Sequence, residues 1–126
     1  MRKMMILCML AAISVNAVSA QPSTDKLLRH VVLFKFKDAA TAANVKVVED
    51  AFLLLPSKMN LIKDFEWGTN TSPEKLNDGL THCFFVTFAS EKDRDDYLVH
   101  PAHQAFVDVL KPFLDKAVVV DFWAKQ

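Results

Sequence analysis

The 126-residue sequence is 52% apolar and carries 15 basic against 15 acidic residues, material for one small domain with a single core. With no basic surplus, it lacks the charge that a nucleic-acid face or an electrostatic membrane binder needs.

Met1-Arg2-Lys3 is a basic start, Met4 to Val15 is an almost unbroken apolar run, and Val18 and Ala20 stand where a signal peptidase reads. These features predict a signal peptide over 1–20, cleavage before Gln21, and export to a periplasmic or extracellular space with no membrane attachment afterwards. Losing Arg2 and Lys3 from the 15 basic residues leaves 13 against 15 acidic ones, a formal charge of −2. Of the two cysteines only Cys83 then remains, so no disulfide can form within the mature chain. Residues 21–27 read as a loose polar leader, and 28–124 as the folded domain.

Leu28 to Lys37 alternates as a strand, with His30, Val32, Phe34 and Phe36 on one face. Asp38 to Thr41 makes a turn and a helix cap, after which Val45, Val48, Phe52 and Leu55 recur at helical spacing up to Pro56. Ile62 to Trp67 is a second strand, and the polar stretch from Gly68 to Gly79 is the longest loop. Thr81 to Phe88 is a third strand, with His82, Phe84, Val86 and Phe88 on one face. Ser90-Glu91-Lys92-Asp93 resembles a capping box. The helix it opens pauses at His100-Pro101, then resumes with Ala102, Phe106, Val109 and Phe113 as its apolar stripe. Ala117 to Trp123 is the last strand. The order β-α-β-β-α-β predicts an α+β, ferredoxin-like sandwich with its helices on one face of an antiparallel sheet. The first and last strands are apolar on both faces, so the face without helices needs cover. A second copy of the chain is the simplest cover, which predicts a homodimer.

His30 and His82 share their strand faces with large apolar residues, and Tyr97 and His103 flank the helix break. All four can converge on one cavity between helices and sheet. Asp121 lies in an otherwise apolar strand, where a carboxylate is costly unless partnered. A histidine is its natural partner, which it would orient as a general base, while Tyr97 can hold a developing oxyanion. The plainer reading has the histidines and Tyr97 filling the core, Asp121 bonding backbone amides, and His100 capping a helix. His100 and His103 also have the separation of some zinc pairs, and His30 or His82 could add a third ligand, but the intervening proline is unusual for that motif, no Cys or Glu is placed to complete it, and no metal is expected. No glycine-rich phosphate loop or other cofactor motif is present, so no cofactor is expected either.

Leu28-Arg29-His30-Val31-Val32-Leu33-Phe34-Lys35-Phe36-Lys37-Asp38, Thr81-His82 with its apolar strand, and Asp96-Tyr97-Leu98-Val99-His100-Pro101-Ala102-His103 together resemble the stress-responsive A/B barrel family. The resemblance runs from about Leu28 to Trp123. It implies a ferredoxin-like domain that dimerises into an α+β barrel, and it leaves open a divalent ion near the dimer interface. A plant member of that family closes a linear polyketide by a cofactor-free aldol condensation. The resemblance carries its catalytic tyrosine and histidine onto Tyr97 and His103, its supporting aspartate onto Asp121, and its pocket histidines onto His30 and His82. Two expectations follow. One is cofactor-independent, cyclase- or lyase-like acid–base chemistry on a small carbonyl compound. The other is a non-catalytic module that binds a small apolar ligand or serves a stress response.

Overall fold

The computed structural model describes residues 26–125. The expected signal peptide, and all of the leader but its last two residues, lie outside them. The elements run β1 (Leu28–Phe36), α1 (Ala42–Leu53), a 3₁₀ turn (Leu55–Lys58), β2 (Asp64–Thr69), β3 (His82–Phe88), α2 (Glu91–Val99), α3 (Pro101–Leu110) and β4 (Leu114–Trp123). Every strand pair is antiparallel and the spatial order is β2-β3-β1-β4. This is the ferredoxin-like arrangement that the alternation of strand and helix patterns predicts.

The departures are at element ends. Helix α1 stops at Leu53, because Pro56 has no N–H to continue it; Leu55 is still buried, from the 3₁₀ turn. The capping box is at the first helix, not the second. Thr41 Oγ1 accepts from the Asn44 backbone and Asn44 Oδ1 accepts from the Thr41 backbone, while Ser90 caps α2 from one side only. β2 sits two residues later than expected, and β4 starts three residues earlier because Leu114 pairs with Phe36.

Even-numbered β1 residues face the helices. Val32 and Phe34 join Phe84, Val86 and Phe88 of β3, Val48 and Phe52 of α1, Tyr97 of α2, and Phe106 and Leu110 of α3 in one core. At its centre Phe52 stacks on Phe84 with ring centroids 4.2 Å apart, and Phe106 closes on Phe52 at 4.4 Å. These contacts draw α1 and α3 over β3 and away from β4. Val119, on the helix side of β4, is 53% exposed. A groove therefore remains between α2, α3 and the β1–β4 pair. On the opposite face of the sheet, Val120 and Phe122 of β4 are exposed and Val31, Leu33 and Phe85 are half-buried, with no helix over them among the described residues.

Candidate active site

The site is built at the interruption between α2 and α3. Pro101 forces the residue before it out of the helical region, and His100 has φ −64° and ψ 136°. His100 Nδ1 accepts from the Ala102 backbone, so this histidine is the N-cap of α3. Of the two roles considered for it, the cap is the one its ring nitrogen adopts. The turn folds the first residues of α3 back on the last turn of α2. His103 and Tyr97 then meet with ring centroids 4.4 Å apart.

His103 Nδ1 lies 3.1 Å from the Leu98 carbonyl oxygen. A carbonyl only accepts, so Nδ1 carries the proton and Nε2 is left with its lone pair. The Leu98 carbonyl is one of the groups that a helix C-terminus leaves without an intrahelical partner, and the Gln104 side chain also donates to it at 2.7 Å. Burial pushes the His103 pKa below the usual histidine value, and the nearby His30 and His100 push it the same way, against a smaller opposing effect of the Leu98 carbonyl. The imidazole is thus kept as the free base.

This depression has a consequence for acid stability. Below the unfolded value, near pH 6.5, the unfolded chain binds a proton at this site that the folded chain resists. The His103 contribution to stability therefore falls as pH drops through that value, and levels off below the folded value. The melting temperature of His103→Gln is expected to fall less than that of the wild type between pH 7 and pH 5. Equal losses in parallel scans would show that the group does not titrate differently on folding.

Tyr97 is 0% exposed, and its hydroxyl has no hydrogen-bond partner among the described residues. Burial pushes its pKa up, so it remains a phenol at neutral pH and can act only as a donor or a weak acceptor. A buried hydroxyl without a partner is rare and costs stability. It is the kind of defect that a binding or catalytic role explains.

Across the groove, His30 of β1 stands directly opposite Asp121 of β4 in the sheet register. Their Nδ1 and Oδ1 atoms are 2.6 Å apart. The other carboxylate oxygen, Oδ2, accepts from Arg94 Nη1 at 2.8 Å. The sequence expectation that Asp121 orients His103 is thus corrected: both its oxygens are occupied, by His30 and Arg94. Cross-strand partners on one face are the nearest neighbours a sheet provides, whereas His103 is carried by α3 and bonds the Leu98 carbonyl. The Tyr97 ring is a neighbour of both imidazoles, with its centroid 5.9 Å from that of His30 and 4.4 Å from that of His103.

His30, Tyr97, His103 and Asp121 line one cavity of about 580 Å³, together with Arg94 and Asp95. The remaining wall is apolar, from Val32, Phe34, Phe106, Leu110 and Val119 among others. The volume suits a small organic molecule. His82 is not part of this wall. It faces Phe34 in the register, whereas Val86, four residues further along β3, faces His30. That displacement is roughly 13 Å along the strand. His82 Nε2 donates to Glu49 Oε1 at 2.9 Å, and its Nδ1 meets the Thr81 hydroxyl at 2.8 Å, so both ring nitrogens are engaged by the protein itself. Trp67 stacks beside it, and both residues border a separate, smaller cavity. The expected convergence of four residues is therefore a convergence of three, with Asp121 behind His30. Arg94 and Glu49 were not anticipated. Arg94 had a signal available, since it lies three residues before Tyr97 and hence on the same helix face; Glu49 had none.

The profile of the stress-responsive A/B barrel domain matches residues 28–124. The chain belongs to this family. Olivetolic acid cyclase of Cannabis sativa is 33% identical over 99 residues, which cover 79% of this chain and 98% of the cyclase. Among solved structures, an Arabidopsis thaliana protein matches this A/B barrel domain with a TM-score of 0.74 at 32% identity, over 79% of this chain and 96% of that one. A protein of Bacteroides fragilis, described as dimeric with a ferredoxin-like fold, matches with a TM-score of 0.65 at 26% identity, over 78% and 96% of the two chains. Among the described residues of this A/B barrel protein, no helix is long and apolar enough to cross a membrane.

Proposed function

We propose that this protein is a cofactor-independent acid–base catalyst of the lyase or cyclase type, acting on a small carbonyl compound with an apolar body. The observation that carries the reading is the Tyr97 hydroxyl, buried without a partner among the described residues, on a ring that packs against His103 beside a mainly apolar cavity. His103 Nε2 takes a proton from the carbon next to a carbonyl, and the Tyr97 O–H donates a hydrogen bond to the carbonyl oxygen as it becomes an enolate. In a cyclisation, the enolate carbon then bonds to a second carbonyl carbon of the same molecule. The resulting alkoxide takes up the proton held on His103, so no external oxidant or reductant enters. The depressed His103 pKa and the raised Tyr97 pKa suit these two roles, free base and hydrogen-bond donor. The likeness to olivetolic acid cyclase supports the same class of chemistry.

The test is deuterium wash-in. The protein is incubated in D₂O with a panel of apolar-tailed diketones, and exchange of the α-protons is followed by NMR. Exchange above the buffer rate supports the reading. Binding of the same compounds without exchange would replace it with the non-catalytic ligand-binding module.

The protein is further proposed to act as an exported homodimer. Export rests on the signal-like residues 1–20. Dimerisation rests on the apolar sheet face of Val31, Leu33, Phe85, Val120 and Phe122, and on the dimeric state of the Bacteroides relative. Sedimentation at micromolar concentration is expected to show a dimer for the wild type and a monomer for Val120→Glu, which places a charge in the middle of that face. A wild-type monomer would remove the dimer from the proposal.

A further inference from the structure

Arg94 lines the cavity from α2, yet its guanidinium is turned to other protein groups. Nε donates to Asp95 Oδ1 at 3.0 Å and Nη1 donates to Asp121 Oδ2 at 2.8 Å. It is only about one-fifth exposed, too enclosed for an ordinary surface ion pair. The residue beyond Asp121 is His30, held by the other carboxylate oxygen. Arg94, Asp121 and His30 thus form a chain of contacts that ends at the cavity beside Tyr97.

We infer that Arg94 is a positioning residue for His30, and that the cavity holds two acid–base imidazoles rather than one. A carboxylate beside a histidine can act in two ways. As a bare counter-ion it stabilises the imidazolium and removes the base. As a neutralised acceptor it fixes the proton on Nδ1 and leaves the Nε2 lone pair free. Arg94 selects the second action. It occupies Oδ2, which keeps Oδ1 aimed at His30 Nδ1, and its positive charge offsets that of Asp121. The other charged or titratable groups that share the cavity with His30 are Tyr97 and Asp95 on α2 and His103 on α3; β3 contributes Val86 and Phe88 beside it. Among the described residues Asp121 is the carboxylate hydrogen-bonded to His30, and Arg94, which Asp95 also holds, is the group that offsets it. With His30 and His103 both against the Tyr97 ring, a proton removed by one imidazole can be returned by the other. This last meaning rests on the acid–base reading above. The coupling itself does not, since it can be measured with no substrate present.

The experiment is an imidazole NMR titration of the folded domain, with the His30 signals assigned by their loss in His30→Gln. In Arg94→Met, the His30 midpoint is expected to move up by roughly one unit, a tenfold increase in proton affinity, because Asp121 now acts unopposed. Arg94→Lys should return it most of the way, and Asp121→Asn should move it in the opposite direction. Arg94→Gln keeps an N–H for Asp121 without the charge. It gives a second neutral variant, expected to shift as Arg94→Met does, should the methionine variant fold poorly. An unmoved or lowered midpoint in the neutral variants would overturn the inference. If these shifts appear while the wild type shows no α-proton exchange, the coupling stands and the catalytic reading falls.

Discussion

Tyr97→Phe is expected to melt at or above the wild-type temperature while losing its chemistry. The substitution removes one oxygen atom from a site where that atom is buried and has no partner. An unsatisfied buried hydroxyl costs about 1–3 kcal/mol, so its removal should be neutral or stabilise by about 1 kcal/mol. In a domain of this size that is a gain of roughly 4–8 °C. The ring contacts to Phe88 and His103 are retained, so packing is not disturbed. The catalytic loss should be on the order of 10²–10³-fold, as for removing one donor to a developing oxyanion. Thermal denaturation and α-proton exchange, measured on one preparation, decide the matter. A variant that melts lower and exchanges normally would mean that the hydroxyl has a structural partner and no chemical role.

His103→Ala should produce a loss of exchange on the order of 10²–10⁴-fold, the usual contribution of a general base, with a modest effect on stability. The ring is half-buried and borders a cavity that already exists, so truncation enlarges a space instead of opening one within close packing. The Leu98 carbonyl keeps the Gln104 amide when the imidazole is gone. Asp121 is unaffected, because its partners are His30 and Arg94. That last point decides the expected sign. Had Asp121 been the partner of His103, the alanine variant would have left a half-buried carboxylate bare. His103→Gln restores an N–H near Leu98 but no base, and should be equally inactive. Losses of about 1–3 kcal/mol in both variants, with exchange retained in the folded fraction, would return His103 to a packing role.

The sequence was most informative where chemistry acts over a few residues. Alternation in Leu28–Phe36 and His82–Phe88 assigned their faces correctly, because a strand's side chains can only alternate. Pro101 placed the break between α2 and α3, because proline restricts the residue before it whatever the surroundings. Thr41 stopped α1 at its start and Pro56 at its end for reasons equally local. The conjunction of these elements with the Tyr97–His103 segment was enough to indicate the family. Partnership across the fold was another matter. Periodicity told that His30, His82 and Asp121 face inward but not which of them meet, since a face is a property of one strand and a register is a property of two. Pairing of β1 with β4 set Asp121 against His30, and pairing of β1 with β3 carried His82 away to Glu49. His103 was left with a backbone carbonyl and the Tyr97 hydroxyl with no hydrogen-bond partner among the described residues, and those two outcomes, created only when α2 and α3 pack over the sheet, are what make the groove a candidate active site.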